Sequence, residues 1–338
     1  MIKLMTMVAA LATTAICVFL PSNVAAMSSV DNCYAEAIQS ADDNVTVREI
    51  KERCASENAD GIGDPKMDSR PAYEESALDE RIAASERVEA RPYVLTPHKP
   101  NYLLVSYMRE PNQAPFVSGA GISDPLKNTE LKLQFSVKAP IWRNMFGSET
   151  DMYFAFSSVA WWQALNLDLS APFRETNYEP ELFVRSVTDY NFLGMTIAGW
   201  QLGLNHESNG KSEPLSRSWN RVMGRANIEL HNDLAMQFRA WYRIPESSKV
   251  DNNPDIHRYL GYGDVRAVWT PNKNTITAMV RPSTEKTNFE ITWSYPISQV
   301  FRVYAQYYNG YGESLIDYNY DMERIGIGFA LNDYLMRQ

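Results

Sequence analysis

From about residue 100 onward, side chains alternate between apolar and polar with a period of two. Between positions 288 and 295, the apolar members all fall on one face: Phe289, Ile291, Trp293 and Tyr295. Twelve such segments of about ten residues can be placed, with approximate centres at Ser106, Leu133, Phe156, Phe183, Trp200, Arg225, Phe238, Val265, Ala278, Ile291, Tyr304 and Gly328. Because successive side chains of a strand point to opposite faces, this alternation predicts amphipathic β-strands.

These segments fit a membrane barrel better than a secreted β-sandwich, which would need shorter strands and no terminal aromatic residues. Ten-residue strands with one apolar face and aromatic ends are typical of outer-membrane barrels, and the chain holds 19 Tyr and 8 Trp. Hydrocarbon offers no hydrogen-bond partner to an open sheet edge, so the sheet must close. We therefore predict an all-β fold, a transmembrane antiparallel β-barrel of about 12 strands, over residues 98–338.

The N-terminus carries an export signal. Lys3 precedes a long apolar run, and small residues follow at Ala25 and Ala26, which predicts a secretory signal peptide over residues 1–26. Residues 27–97 hold 16 acidic and 8 basic side chains. We interpret them as an acidic periplasmic extension, partly helical over residues 79–88 and exposed to solvent. In an oxidising compartment, Cys33 and Cys54 would pair.

Composition excludes several classes of function. A net charge of −9 at pH 7 argues against nucleic acid as a partner. The total of 3 Cys excludes a disulfide-dense scaffold and a four-cysteine zinc site.

Polar residues interrupt the outward apolar face at one rim of the predicted barrel. Leu202 and Leu204 have the parity of lipid-facing side chains, and His206 and Ser208 continue it. In the next segment, Asn220 also has outward parity. If the two segments form a hairpin, these three polar side chains lie close together on the outside of the barrel.

Serine, histidine and asparagine can form a hydrolase triad. Ser208 would attack a carbonyl, His206 would transfer the proton, and Asn220 would orient the imidazole. Asparagine carries no charge, so the oxyanion needs further electrostatic stabilisation. Hydroxyl and carbonyl oxygens of residues 209–216 suit calcium. From spacing alone, a rim histidine that is bonded only to its own loop remains the alternative.

Residues 205–210, followed by residues 216–221, resemble the active-site signature of outer membrane phospholipase A. Blocks at residues 161–163, 172–180, 253–256 and 310–319 extend the resemblance through the barrel. The resemblance implies a twelve-stranded outer-membrane barrel that hydrolyses acyl esters of phospholipids and lysophospholipids, as an A1/A2-type enzyme. It also implies dependence on calcium and activation by homodimerisation.

The resemblance also implies a role for each matching residue. His206 becomes the general base, Ser208 the nucleophile and Asn220 the residue that orients the imidazole. The implied calcium ligands are the hydroxyl of Ser216, the carbonyl of Lys211, Asn252 at a position that is acidic in the family, and Ser170 from a second copy of the chain. Glu213 replaces a usual aspartate, and Ser158 replaces a glutamine of the family's dimer interface.

Two other functions fit a barrel. A porin or solute channel would need an open lumen, whereas side chains of lumen parity, such as Arg239, Arg302 and Glu290, could fill a small barrel with ion pairs. A structural anchor for the acidic extension would carry a degenerate site, against which the intact His206, Ser208 and Asn220 argue.

Overall fold

The computed structural model of the chain describes residues 76–91, 93–119, 126–167 and 173–336. The predicted signal peptide, Cys33, Cys54 and Ser170 lie outside the described residues. The helices are α1 (Ala77–Glu89), α2 (Ala114–Gly119) and α3 (Ile256–Leu260), with a 3₁₀ turn at Met145–Gly147. The strands are β1 (Thr96–Pro97), β2 (Tyr102–Met108), β3 (Thr129–Trp142), β4 (Thr150–Trp162), β5 (Phe173–Phe192), β6 (Met195–Ser208), β7 (Ser218–His231), β8 (Leu234–Arg243), β9 (Gly263–Trp269), β10 (Thr275–Arg281), β11 (Asn288–Pro296), β12 (Arg302–Tyr311) and β13 (Asp321–Ala330).

Strands β2 to β13 form a closed antiparallel barrel. Each strand pairs with the next along the chain, and β2 pairs with both β3 and β13, which closes the ring. The short strand β1 pairs with Val137 and Lys138 of β3, beyond the residues of β3 that pair with β2. Within the described ranges the barrel therefore has twelve strands, and each contains one of the twelve predicted centres. The predicted fold is confirmed.

The two faces of the barrel wall follow the predicted parity. On β11, Phe289, Ile291 and Trp293 are exposed, whereas the alternate residues Thr292 and Ser294 are buried in the lumen. The same alternation holds on β13, where the outward side chains are Ile325, Ile327 and Phe329. The barrel thus presents an apolar outer surface to lipid, as a membrane-spanning sheet must.

Ion pairs fill the lumen and tie its walls together. Glu130 of β3 receives hydrogen bonds from Arg174 of β5, at 3.1 Å, and forms an ion pair with Arg324 of β13 at 2.8 Å. Asp317, in the connection after β12, binds Arg174 at 2.5 Å. These side chains are at most 1% exposed. The lumen-parity residues thus fill this part of the barrel, which the open-channel alternative would need to keep clear.

The two ends of the barrel differ. At one end, which we call the long-loop end, the connections include residues 209–217, 244–262 and 312–320. At the other end, which we call the short-turn end, the connections include the two-residue turns 193–194 and 232–233. Outer-membrane barrels carry their longer loops outside the cell. None of the helices in the described ranges is long and apolar enough to cross a membrane.

Helix α1 packs against the short-turn end. Ser76 caps it by accepting a hydrogen bond from the Asp79 backbone, at 3.1 Å, and donates its own proton to Glu229 at 2.7 Å. At the other end of the helix, Glu89 accepts hydrogen bonds from Tyr153, at 3.0 Å, and from Lys138. The helix predicted over residues 79–88 is present; residues 86–88 are exposed, whereas Ser85 and Glu89 are buried against the barrel.

Glu313 makes the stability of the barrel depend on pH. Its carboxylate accepts hydrogen bonds from Lys132, at 2.8 Å, and from Arg324, at 2.6 Å. Burial raises the pKa of Glu313, but the charges of Arg324 and Lys132 outweigh it and hold the pKa at about 2. A depressed carboxyl pKa stabilises the folded state above its ordinary value of 4.5, and this contribution is lost as the pH falls toward 2.

We therefore expect Glu313→Gln to lower the free energy of unfolding by about 3 kcal/mol at neutral pH, because the buried Lys132 loses its counter-charge and Arg324 keeps only Glu130. The difference in the free energy of unfolding between Glu313→Gln and the wild type should become smaller below about pH 4. Urea titrations followed by tryptophan fluorescence measure it. Glu323→Gln, which removes a carboxylate from an exposed pair with Arg109, is the control and should unfold like the wild type. Equal curves for all three proteins would contradict the prediction.

Candidate active site

The β6–β7 hairpin brings the three candidate triad residues to one rim of the barrel. In its register, His206 lies opposite Asn220, and Ser208 lies opposite Ser218. The hairpin assumed from the sequence is therefore present. It ends at the long-loop end, where residues 209–217 connect its two strands.

All three side chains lie on the lipid side of the wall. Leu202 and Leu204, which share their parity on β6, are 51% and 54% exposed. The intervening Asn205 is only 3% exposed, and Trp219 beside Asn220 is 1% exposed. Because parity alternates strictly along a strand, His206, Ser208 and Asn220 face outward while their sequence neighbours fill the lumen.

His206 and Asn220 are directly bonded. The Nδ1 atom of His206 lies 2.8 Å from the Oδ1 atom of Asn220. An amide oxygen can only accept, so Nδ1 carries the proton and Nε2 is the basic nitrogen of the neutral ring. Ser208 lies two residues farther along the same strand and on the same face. The arrangement offers a hydroxyl and an oriented imidazole side by side.

Luminal contacts hold the hairpin that displays these groups. Glu207 accepts hydrogen bonds from the indole of Trp219 and from Arg221, both at 2.9 Å. The Arg221 guanidinium lies 3.9 Å from the centre of the Trp219 ring. Each outward residue of the site thus has a buried neighbour that binds across the hairpin, which fixes the register on which the site depends.

The connection between the two strands is ordered by Asn209. Its Oδ1 atom accepts from the backbone N–H groups of Lys211, at 3.3 Å, and Arg217, at 3.0 Å, and its Nδ2 donates to the carbonyl of Leu215 at 2.8 Å. Gly210 has a φ of 64° and lies against the ring of Tyr178. This left-handed conformation favours glycine, so the turn after Ser208 is encoded locally.

Lys211 anchors this connection to β5. Its ammonium group donates to the carbonyl of Arg174 at 2.6 Å and pairs with Glu175 at 3.0 Å. The side chain is therefore occupied by a structural contact, and only the backbone carbonyl of Lys211 remains as a candidate metal ligand.

Polar side chains from two loops meet beside the hairpin. Asn252, in the connection after β8, donates from Nδ2 to the hydroxyl of Ser216 at 2.8 Å and to Glu213 at 3.1 Å. Its Oδ1 atom is buried without a hydrogen-bond partner. The structure thus brings together Ser216, Glu213 and Asn252, three of the positions singled out from the sequence.

The neighbouring Asp251 is engaged elsewhere. It accepts from Arg243 at 2.6 Å and from the Asn253 backbone at 3.2 Å. Burial raises the pKa of Asp251, but these hydrogen bonds outweigh it and keep the pKa below its ordinary value. Across the described ranges, no three His, Cys, Asp or Glu side chains converge as a metal site. A metal beside Ser216 would therefore depend on hydroxyl, amide and backbone oxygens.

Sequence reasoning missed Glu246. This residue accepts a hydrogen bond from Nδ2 of Asn220 at 2.8 Å, so it holds the side of the amide that faces away from His206. The contact arises because the β7–β8 pairing continues past Arg243, and the backbone N–H of Ile244 donates to the Asn220 carbonyl at 2.8 Å. The sequence could have indicated Glu246 only if the pairing of β7 with β8 had been extended beyond the last apolar residue of β8.

The fold defines an outer-membrane barrel whose lipid face carries the candidate triad, and comparisons with known proteins identify its enzyme family. The model of the phospholipase A1 family matches residues 78–331. Phospholipase A1 of Klebsiella pneumoniae is 39% identical over 244 residues, which are 72% of this chain and 84% of that protein.

Solved structures agree with the family match. Outer membrane phospholipase A of Escherichia coli superposes with a TM-score of 0.68 at 36% identity, covering 72% of this chain and all of that one. The outer membrane phospholipase dimer of Salmonella typhi with bound calcium superposes with a TM-score of 0.68 at 35% identity, covering 74% of this chain and 96% of that one. The chain belongs to the phospholipase A1 family and is a phospholipase of the bacterial outer membrane.

The connection after Ser208 should lose its order in Asn209→Ala, since that change removes three hydrogen bonds from a buried side chain. We expect trypsin to cleave after Lys211 about tenfold faster in the folded variant. Limited proteolysis followed by mass spectrometry measures this rate. Asn191→Ala, in an exposed segment at the short-turn end, should leave the rate unchanged. Equal resistance of Asn209→Ala and the wild type would show that other contacts order the connection.

Proposed function

We propose that this chain is a calcium-dependent phospholipase of A1/A2 type, which hydrolyses acyl esters of phospholipids and lysophospholipids through Ser208, His206 and Asn220 and acts as a homodimer. The observation that carries the proposal is the 2.8 Å bond between His206 and Asn220, on the lipid side of the wall and beside Ser208. A phospholipid of the surrounding leaflet could lay its acyl chains along the outer strands and bring an ester to this rim.

The chemistry follows from the three side chains. The Ser208 oxygen attacks the carbonyl carbon of the ester while its proton passes to Nε2 of His206. The imidazolium then returns this proton to the glycerol oxygen of the leaving group, and an acyl-serine remains. Water, deprotonated by the same imidazole, cleaves the acyl-serine and releases the fatty acid. Throughout, Asn220 accepts from Nδ1 and keeps the ring in the useful tautomer.

The oxygen cluster beside the hairpin suits a calcium ion. Calcium prefers hard oxygen ligands in a flexible geometry. Ser216, the Lys211 carbonyl and Asn252 would hold it, together with Ser170 from a second copy. The side-chain amide of Asn252 faces Ser216 through Nδ2, so it would turn over to present its buried, unpaired Oδ1 atom to the ion. A bound ion would supply positive charge close to the developing oxyanion, which Asn220 cannot provide. The Salmonella typhi relative is a dimer with bound calcium.

The outward face of β4 supports a homodimer. Ser158 lies on this face in register with Phe135 of β3 and Tyr178 of β5, both of which are exposed. A small polar side chain between two aromatic ones leaves a depression in an apolar surface. A second barrel could pack there and carry its own Ser170 toward the site, so that activity would depend on association.

Ser208→Ala should abolish hydrolysis, since no other group in the proposed mechanism forms the acyl intermediate. Fatty-acid release from phospholipid by the detergent-folded protein measures activity, and a calcium chelator should also stop it. Asn220→Ala should retain reduced turnover, because orientation is only one contribution to the rate. The exposed Ser148→Ala should behave like the wild type. Full activity in Ser208→Ala would remove the mechanism.

Asn252→Asp should strengthen calcium binding, since a carboxylate adds charge to the ligand set. We expect the calcium concentration for half-maximal activity to fall about fivefold. Titration calorimetry with calcium alone should show the same direction of change. Asn191→Asp, which adds a carboxylate far from the loops, is the matched control. A half-maximal concentration that does not change in Asn252→Asp would exclude Asn252 as a ligand.

A further inference from the structure

We infer that Glu246 is a positioning residue of the phospholipase, which locks the side-chain amide of Asn220 in the one orientation that can accept a hydrogen bond from His206. The inference rests on the proposed roles of Ser208, His206 and Asn220, and it adds a fourth side chain that acts only through Asn220. The site would then consist of four side chains in sequence, from Ser208 through His206 and Asn220 to Glu246.

The need for such a residue follows from the chemistry of asparagine. An amide has an accepting oxygen at one side and a donating nitrogen at the other, and rotation by half a turn exchanges them. With the nitrogen toward His206, Nδ1 would have to accept, so its proton would move to Nε2. The imidazole could then no longer take the proton from Ser208. An aspartate would not pose this problem, because both of its oxygens accept.

The geometry around Glu246 removes the ambiguity. An ionised carboxylate can only accept, and its Oε1 atom lies 2.8 Å from Nδ2 of Asn220. Rotating the amide would place two acceptors against each other at this contact and two donors against each other at His206. Both contacts therefore favour the same orientation, the one in which Oδ1 meets Nδ1 of His206 at 2.8 Å.

The backbone brings Glu246 to this place. The N–H of Ile244 donates to the carbonyl of Asn220 at 2.8 Å, which continues the β7–β8 ladder past its last paired residues. Pro245 then restricts the backbone immediately before Glu246. Asn220 is thus held twice by one short segment, through its main chain by Ile244 and through its side chain by Glu246.

Among the described residues, Glu246 forms no ion pair that would compete with Asn220. Of the two basic residues three positions away along the chain, Arg243 binds Asp251 at 2.6 Å and Lys249 is exposed to solvent. Glu246 is half-buried at the rim. Its carboxylate accepts a hydrogen bond from Asn220, so its position serves the amide of the candidate triad.

Rates of fatty-acid release at saturating calcium test the inference in three variants. Glu246→Ala should lower kcat about tenfold with little change in KM, because a misoriented amide affects the proton transfer and not lipid binding. Glu246→Gln should restore most of the rate, because its amide oxygen can still accept from Asn220. Glu285→Ala, which removes a carboxylate from an exposed pair with Arg258, should match the wild type.

The decisive variant is the double mutant. In an Asn220→Asp background both side-chain atoms accept, so no orientation needs to be locked, and adding Glu246→Ala should cause no further loss of kcat. An equal further loss would show that Glu246 supports the fold of the loop instead, and would overturn the inference. Wild-type kcat in Glu246→Ala would also overturn it. Failure of the proposed function is recognised separately, by full activity in Ser208→Ala.

Discussion

Closure of the antiparallel sheet is the constraint on which the rest of this protein depends. In hydrocarbon every backbone N–H and C=O must find a partner within the protein, and the pairing of β2 with both β3 and β13 leaves no edge of the barrel open. Once the sheet is closed, strand parity alone decides which side chains meet lipid and which fill the lumen. A side chain can therefore be directed to the membrane simply by its position in the alternation, as those of His206 and Ser208 are.

The lumen and the outer surface have different roles: the lumen stabilises the barrel, and the outer surface carries the candidate site. Inside, charged pairs such as Glu130 with Arg174 bind strands that are not neighbours, so the interior acts as a polar core that keeps the wall rigid. The candidate site lies on the outer side of the same wall. On the luminal side, the hydrogen bond from Trp219 to Glu207 joins the two strands of the hairpin. A rigid support behind the reacting groups is what a hydrolase needs, because proton transfer depends on small distances between them.

Much of the site was predictable because it is local. His206, Ser208 and Asn220 occupy one hairpin, and a period-two pattern determines their face. The contacts that the period-two pattern did not reveal involve the connections between strands. Glu246 reaches Asn220 only because β8 continues as a ladder beyond Arg243, and Asn252 meets Ser216 across two loops. Helix α1 was predicted as a helix, but its burial depends on Glu89 meeting Lys138 on a distant strand.

The sequence by itself determined the strand count, the closed architecture and the outward parity of His206, Ser208 and Asn220, because alternation along a strand is a property of the chain over a few residues. Only the tertiary structure decided which loop oxygens converge, how α1 anchors, and which acid holds the amide of Asn220. Those contacts join residues that are far apart in the chain. Whether such residues meet depends on the lengths of loops and side chains, which a periodic pattern does not contain.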